Sequence, residues 1–319
     1  MSEIKSVAIA GVRSLENTTG KWLTSSQASG NLGSHILKAL VDANFNVTVL
    51  TRSNKPGLYD AKVKVVEVDY ASVESLTAAL KGIDALVCSL GHAGLESQTL
   101  LIDASVAAGV KRFIPSEYGS CTTNPKVASF PIYVPMFKIK NYLEEKAKEG
   151  QLTWTVLACG AFLEFIFNQP FLLDYANHKA TLYDEGDNRT SSTSMPNVGK
   201  AIAGILKNAK ATENKIVRVS EVILSQNQLL GMAEEVRPEI KWEISKVQTS
   251  ALLKEGLDGV AAGDFSMPTM MKILSGTALA GDTYGSAFYE TDNELLDIKE
   301  MLEDHLRTLV VEKLSPKLT

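Results

Sequence analysis

The chain has 319 residues, enough for one large domain or a nucleotide domain with a smaller companion, and its 45% hydrophobic and 22% charged content suits a globular protein with a sizeable core. A net charge of −5, without a basic run or basic–aromatic alternation, argues against a nucleic-acid surface. No run of about eighteen apolar residues occurs and no apolar leader precedes the first strand, so neither a membrane contact nor secretion is expected; the reading places the protein in the cytoplasm, or the nucleus if its role is regulatory.

The first β-branched run, Val7-Ala8-Ile9-Ala10-Gly11, predicts a strand. Residues 12–27 then separate Gly11 from Ala28-Ser29-Gly30-Asn31-Leu32-Gly33. With that segment set aside, strand, GASGNLG and an amphipathic helix are contiguous, a GxxGxxG turn. Glycines there let the chain turn sharply, let backbone approach a pyrophosphate and let helix pack on sheet, while the helix N-terminus offers free N–H groups to phosphate. This assigns the pyrophosphate to Gly11, Ser29, Gly30, Asn31 and Gly33.

Further strands are expected over 46–50, 63–68, 85–89, 112–115 and 153–158. Helices over 72–80 and 95–108 lie between them, the second stopped by Gly109. That alternation predicts an α/β fold, a doubly wound parallel sheet over residues 1–160. From 161 to 319 the pattern loosens: a polar stretch at 184–194, a helix at 198–207 and a strand at 215–219 read as a smaller substrate-binding part, from which segments can return to the first domain. Ligands of such sheets bind at the strands' C-terminal ends, where strand order reverses.

The strand-two end reads Leu50-Thr51-Arg52-Ser53-Asn54-Lys55. A carboxylate there would accept from a ribose 2′-hydroxyl, whereas a guanidinium grips a 2′-phosphate through paired N–H bonds, so Arg52 and Lys55 point to NADP(H) rather than NAD. Cys88, Cys121 and Cys159 are scattered and form no CxxC, consistent with a reducing compartment. His35, His92, His178 and His305 are too dispersed for a compact zinc site, and no metal is expected.

GASGNLG, Leu50-Thr51-Arg52, the segment RFIPSEYG at 112–119 and Tyr284-Gly285-Ser286 together resemble the NmrA-like and isoflavone-reductase-like family of atypical short-chain dehydrogenases, fungal members especially. The resemblance spans nearly the whole chain except 12–27. It implies an NADPH-binding Rossmann domain with a smaller C-terminal substrate domain, and a lysine on the helix after strand five acting near the nicotinamide ribose and substrate. Lys138 is the first choice for that lysine and Lys140 the second. An ammonium there can hold ribose hydroxyls and exchange a proton with a substrate oxygen. Ser129, Tyr142 and Lys146 match an ordinary Ser/Tyr/YxxxK triad, but Lys146 lies two turns, about 12 Å, beyond Lys138 along a helix. Glu117 shows no pairing in the sequence and is read as capping or orienting its loop. Phe162, after strand six, resembles the family's substrate-mouth loop; Phe165 and Phe167 extend an apolar wall or enter a core.

The resulting expectation is an NADPH-dependent oxidoreductase of secondary metabolism that reduces a small aromatic or unsaturated metabolite. The alternative, implied by the same resemblance, is a non-catalytic redox sensor acting through protein partners. A homodimer is left open. Residues 12–27 read as a retained intron translated in frame, since valine codons begin GT and a glutamine codon can end in AG; a genuine loop is the alternative. Such an insertion costs only roughly 1.5 kcal/mol in closure entropy but loosens the phosphate cradle. A version lacking 12–27 is therefore expected to bind NADPH more tightly in a calorimetric titration, and equal affinities would refute the loosening. Mature transcripts that uniformly keep these codons would remove the intron reading.

Overall fold

A computed structural model describes residues 3–11, 32–53, 59–91, 94–95 and 97–315. The first part of the chain runs β1 (Ser6–Ala10), α1 (Leu32–Asp42), β2 (Asn46–Thr51), β3 (Lys64–Glu67), α2 (Val73–Leu80), β4 (Ala85–Cys88), α3 (Gln98–Ala108), β5 (Arg112–Ile114), α4 (Val134–Lys148) and β6 (Thr153–Ala158). It continues through β7 (Ala161–Phe162), α5 (Leu163–Asn168), β8 (Lys179–Tyr183), β9 (Thr190–Thr193), α6 (Met195–Lys207), β10 (Lys215–Arg218), β11 (Val222–Leu224) and α7 (Gln226–Val236). The last elements are β12 (Glu243–Val247), α8 (Thr249–Ala261), α9 (Met267–Ala278) and α10 (Glu303–Leu314).

Seven strands pair in the order β10-β6-β5-β4-β1-β2-β3, every pairing parallel. Parallel strands bury both faces, and the alternation within each strand divides the core accordingly. Val7 and Ile9 of β1 face one way into a cluster with Ile36 and Leu40 of α1 and Val198, Ile202 and Ile205 of α6. Ala8 and Ala10 face the other way, toward Leu76 of α2, Leu101 and Ile102 of α3, and Ile139 and Leu143 of α4. Helix ends follow their local chemistry. The Ser72 side chain accepts from the Ser75 N–H to start α2, and Gly109, at φ 76°, ends α3.

Two segments grouped by their sequence with the smaller part return to the large sheet. β10 pairs with β6 as its seventh strand, and α6 packs along α1. The reason is apolar patterning that only this face satisfies: eight residues of α6 are buried, five of them in one run from Ala201 to Leu206 interrupted at Gly204. α6 lacks a side-chain cap of its own. Its first N–H groups are instead taken by carboxylates from the smaller part, Glu221 accepting from Ser194 and Glu164 from Met195.

The rest of the chain builds a sheet of β11-β9-β7 and a pair β12-β8, with α5, α7 and α10 around a separate apolar cluster that includes Leu163, Leu173, Leu229 and Val310. Gly160 joins the two parts. Its φ is 72°, and a Cβ would lie 2.1 Å from the Ser191 oxygen, so β6 can turn against β9 only without a side chain.

At the opposite edge, the fully buried Arg112 fastens β10's connection to the sheet. Its guanidinium donates to Thr153 Oγ1 and Thr155 Oγ1 at 2.8 Å each, to Thr212 Oγ1 at 3.2 Å and to the Ala209 carbonyl at 2.6 Å. Burial pulls the guanidinium down to about 10, which still leaves it charged at neutral pH. Arg112→Met is expected to cost about 3 kcal/mol in urea denaturation, because these acceptors lose their donor in a dry site. Arg112→Lys should not restore it, lacking the planar fork; a loss under about 1 kcal/mol would contradict this account.

Candidate active site

Strand order reverses between β1 and β4, and the C-terminal ends of these strands touch. Ser89 N–H donates to the Ala10 carbonyl at 2.7 Å. Gly11 follows at φ 99°, where a Cβ would fall 2.3 Å from the Ser89 oxygen and 2.9 Å from the Leu90 nitrogen. Only glycine passes this point, the end of the strand from which a pyrophosphate-binding turn leaves in such sheets. Gly33 is buried in the first turn of α1. Ser29, Gly30, Asn31 and Lys55, and the whole of 12–27, lie outside the described residues.

Arg52 leaves the end of β2 exposed, with no hydrogen bond or ion pair among the described residues. Tyr70, just beyond β3, donates its hydroxyl to the Leu50 carbonyl at 3.0 Å, tying the β3 end to the β2 end beside Arg52. Its role was not legible in the sequence; the only signal was the Asp69-Tyr70 pair after a strand.

The segment after β5 forms the wall opposite. Ser116 N–H donates to Gln98 Oε1 at 2.7 Å, and its Oγ accepts from Leu90 N–H at 2.7 Å, so one residue links the ends of β4 and β5 to the start of α3. The Tyr118 hydroxyl donates to the Cys88 carbonyl at 2.6 Å, and the Gly119 carbonyl accepts from Cys159 and Gly160. From the far side, Asn124 donates to the Tyr284 carbonyl at 2.8 Å, and the Tyr133 hydroxyl lies 2.6 Å from Thr277 Oγ1 of α9. The segment that follows RFIPSEYG is thus braced against Tyr284 and α9. Burial pushes the thiols of Cys88 and Cys159 far up, which suits core groups and not nucleophiles.

Between β5 and α4 lies a small cavity lined by Gln98, Ser116, Glu117, Thr122, Phe137 and Lys140, among others. The lysine on this wall is Lys140. Lys138, the first choice from the sequence, is exposed and does not line the cavity; the two-residue step between them turns the helix by about 200°, which puts the two side chains on different faces. Lys140 is held by Glu144 at 2.8 Å, one turn on. The Tyr142–Lys146 arrangement faces elsewhere: Tyr142 donates to Asp103 of α3 at 2.5 Å, Lys146 lies over its ring, and Ser129 is exposed.

Glu117 is the feature the sequence did not reveal. It is 6% exposed, and its Oε1 has no hydrogen-bond partner. Burial raises its carboxyl from the ordinary 4.5 to about 7, against the opposing pull of the nearby Thr122 hydroxyl and Gly119 N–H. Phe162 is half-buried, pairs with Thr193 and packs against the α1–α6 core. Phe167 is a core residue stacked on Tyr175, and Phe165 meets Phe171 edge-on, so these two rings form no wall at the sheet edge. Among the described residues no group of three or more His, Cys, Asp or Glu is arranged for a metal ion, and no helix is long and apolar enough to cross a membrane.

A doubly wound parallel sheet with a glycine held at its switch point defines a Rossmann-type dinucleotide-binding fold. The chain belongs to the NmrA-like family, whose model matches residues 21–282. It is 31% identical over 248 residues to the oxidoreductase poxI of Penicillium oxalicum, covering 76% of this chain and 77% of that protein. It is 31% identical over 280 residues to the oxidoreductase aprR of Aspergillus flavus, covering 85% and 92%. AtPrR2, solved with NADP+ and (+)pinoresinol, shares the fold at a TM-score of 0.71 and 21% identity, covering 98% of this chain and all of the other.

A carboxyl that titrates at about 7 when folded and about 4.5 when unfolded makes stability depend on pH with a definite sign. Between those values the folded state holds the extra proton, so the contribution is whole below about 4.5 and is lost as pH rises through about 7. Glu117→Gln should remove up to about 3 kcal/mol of this decline. Unfolding titrations across the window check it; parallel curves for the two proteins would count against a protonated Glu117.

Proposed function

We propose that the protein is an NADPH-dependent oxidoreductase that reduces a small aromatic or unsaturated metabolite. The observation that carries this reading is the placement of Lys140, Ser116 and the buried acid Glu117 at the β5 end, beside the switch point where Gly11 opens the backbone. A buried carboxyl near neutrality at that place suits proton transfer better than dinucleotide sensing alone. The two oxidoreductase relatives support the same choice, and AtPrR2, with its NADP+ and small-molecule ligand, supports cofactor and substrate class.

Gly11 and Gly33 would border the pyrophosphate, and Arg52 would take the 2′-phosphate through paired N–H bonds. When bound, the reduced nicotinamide supplies a hydride. Lys140 would hold ribose hydroxyls and present its ammonium to the substrate atom that gains charge. Ser116 fixes the β4 and β5 ends relative to one another, which keeps that ammonium in register with the cradle. The apolar side chains of Phe137, Ile139 and Val156 exclude bulk water from the cavity behind it.

Arg52→Ala should raise the Kd for NADPH about 10–100-fold and leave that for NADH unchanged. Equal effects on both cofactors would remove the phosphate role. With an active substrate drawn from a panel of unsaturated ketones and phenols, Lys140→Ala should lower kcat about 100-fold with NADPH binding retained. Lys138→Ala should stay within about twofold of the native rate, as expected of a solvated lysine. The reverse pattern would return the role to Lys138. NADPH bound but never consumed would favour the redox-sensor reading.

A further inference from the structure

Two buried polar atoms in this region lack hydrogen-bond partners, Glu117 Oε1 and Thr122 Oγ1, and both residues line the cavity between β5 and α4. That cavity has about 10 Å³ of space, close to the room one water molecule needs. Residues able to supply the two to four polar partners that a buried water requires line it: Glu117 with its orphaned oxygen, Thr122, Ser116 and Lys140. The Ser116 oxygen already accepts from Leu90, which leaves its proton to give. The rest of the lining is Thr123, Gln98, whose amide is already engaged with Ser116 and Leu95, and apolar side chains, so one ordered water fits where several would not.

We propose that Glu117 is a proton-holding residue of this site, coupled to Lys140 through a water molecule seated in the cavity that both side chains line. The coupling rests on geometry alone; its catalytic use rests on the reductase reading.

The charges around Glu117 are consistent with this. Tyr118 on its own loop, Cys159 at the end of β6 and Tyr133 before α4 are all pushed far up by burial and stay neutral. Lys140, with Glu144 beside it, is the other charged residue on the cavity wall. A carboxyl buried away from bulk solvent resists ionisation. Its level of about 7 lets it be protonated or ionised at neutral pH, as a proton donor must be.

The reduced nicotinamide, when bound, would supply a hydride to one end of a substrate double bond, and an electron pair would then remain on the other end. That pair forms a bond to a proton of the Lys140 ammonium as the N–H bond breaks. The neutral amine takes a proton from the cavity water while that water takes the carboxyl proton of Glu117. Glu117 is left ionised and regains a proton from solvent between turnovers. Glu117 acts through Lys140 and is a positioning residue in this sense.

Difference infrared spectroscopy of the cofactor-free protein against Glu117→Gln reads the carboxyl directly. A protonated-carboxyl band that titrates at about 7 is expected, and a band absent below that pH, or titrating in the ordinary carboxylate range, would overturn the proposal. Lys140→Met should move the midpoint upward by about one pH unit, since an ammonium near the carboxyl favours its charged form. An unmoved midpoint would overturn the link between them. In turnover, Glu117→Gln should lower kcat about 10–100-fold and abolish the near-neutral limb of its pH profile, with NADPH affinity unchanged and Glu117→Asp partly restoring both. An unaltered profile would overturn the catalytic use. If no substrate is ever reduced, the reductase reading fails by itself, and the infrared midpoints still decide whether Glu117 and Lys140 are coupled.

Discussion

The backbone crossing at Gly11 and Ser89 is the constraint on which the rest depends. Parallel strands β1 and β4 are hydrogen-bonded up to Ser89 N–H and the Ala10 carbonyl, and their next neighbours β2 and β5 lie on opposite sides of the pair. A side chain at position 11 would occupy the space of the Ser89 carbonyl. Because the residue is glycine, the strands stay paired to their ends and the backbone lies open at the switch point. Every other candidate group, Arg52, Ser116, Glu117 and Lys140, takes its place from the C-terminal edge so defined.

The loop after β5 turns this edge into a chamber. Its residues serve two functions at once: they tie strand ends together through Ser116 and Tyr118, and they close a small cavity against α4. Bracing from the C-terminal part through Asn124–Tyr284 and Tyr133–Thr277 holds the loop rigid enough to keep a carboxyl dry. A dry carboxyl destabilises the fold at neutral pH, and such a cost is typical of functional sites. Arg112, by contrast, is buried with its donors engaged and lies at the opposite edge, where it supports the sheet and not its chemistry.

How far the sequence reaches can be seen residue by residue. The β-branched runs and the Gly109 stop placed the six strands and the helices between them to within a residue or two at most boundaries, because hydrophobic periodicity and cap residues are local signals. The return of β10 and α6 to the large sheet was not decided by local signals. A short apolar strand and an amphipathic helix read the same whichever sheet they join. The places of Gly11 and Arg52 at strand ends were legible because each has a fixed position relative to a strand. Which of Lys138 and Lys140 lines the β5–α4 cavity depended on the rotation of α4 about its axis.

By itself, the sequence determined the alternation of strand and helix, the glycine turn once 12–27 is set aside, a basic residue at the end of β2 and the family motifs after β5. These are properties of neighbours along the chain. The tertiary structure alone decided which lysine lines the cavity, that Tyr142 binds Asp103 and faces away, that Phe167 belongs to the core, and that Glu117 is buried with an unpaired oxygen. The physical reason is that burial and the state of a carboxyl are set by groups brought from β6, α3 and α4 together, and no spacing in the sequence records that meeting.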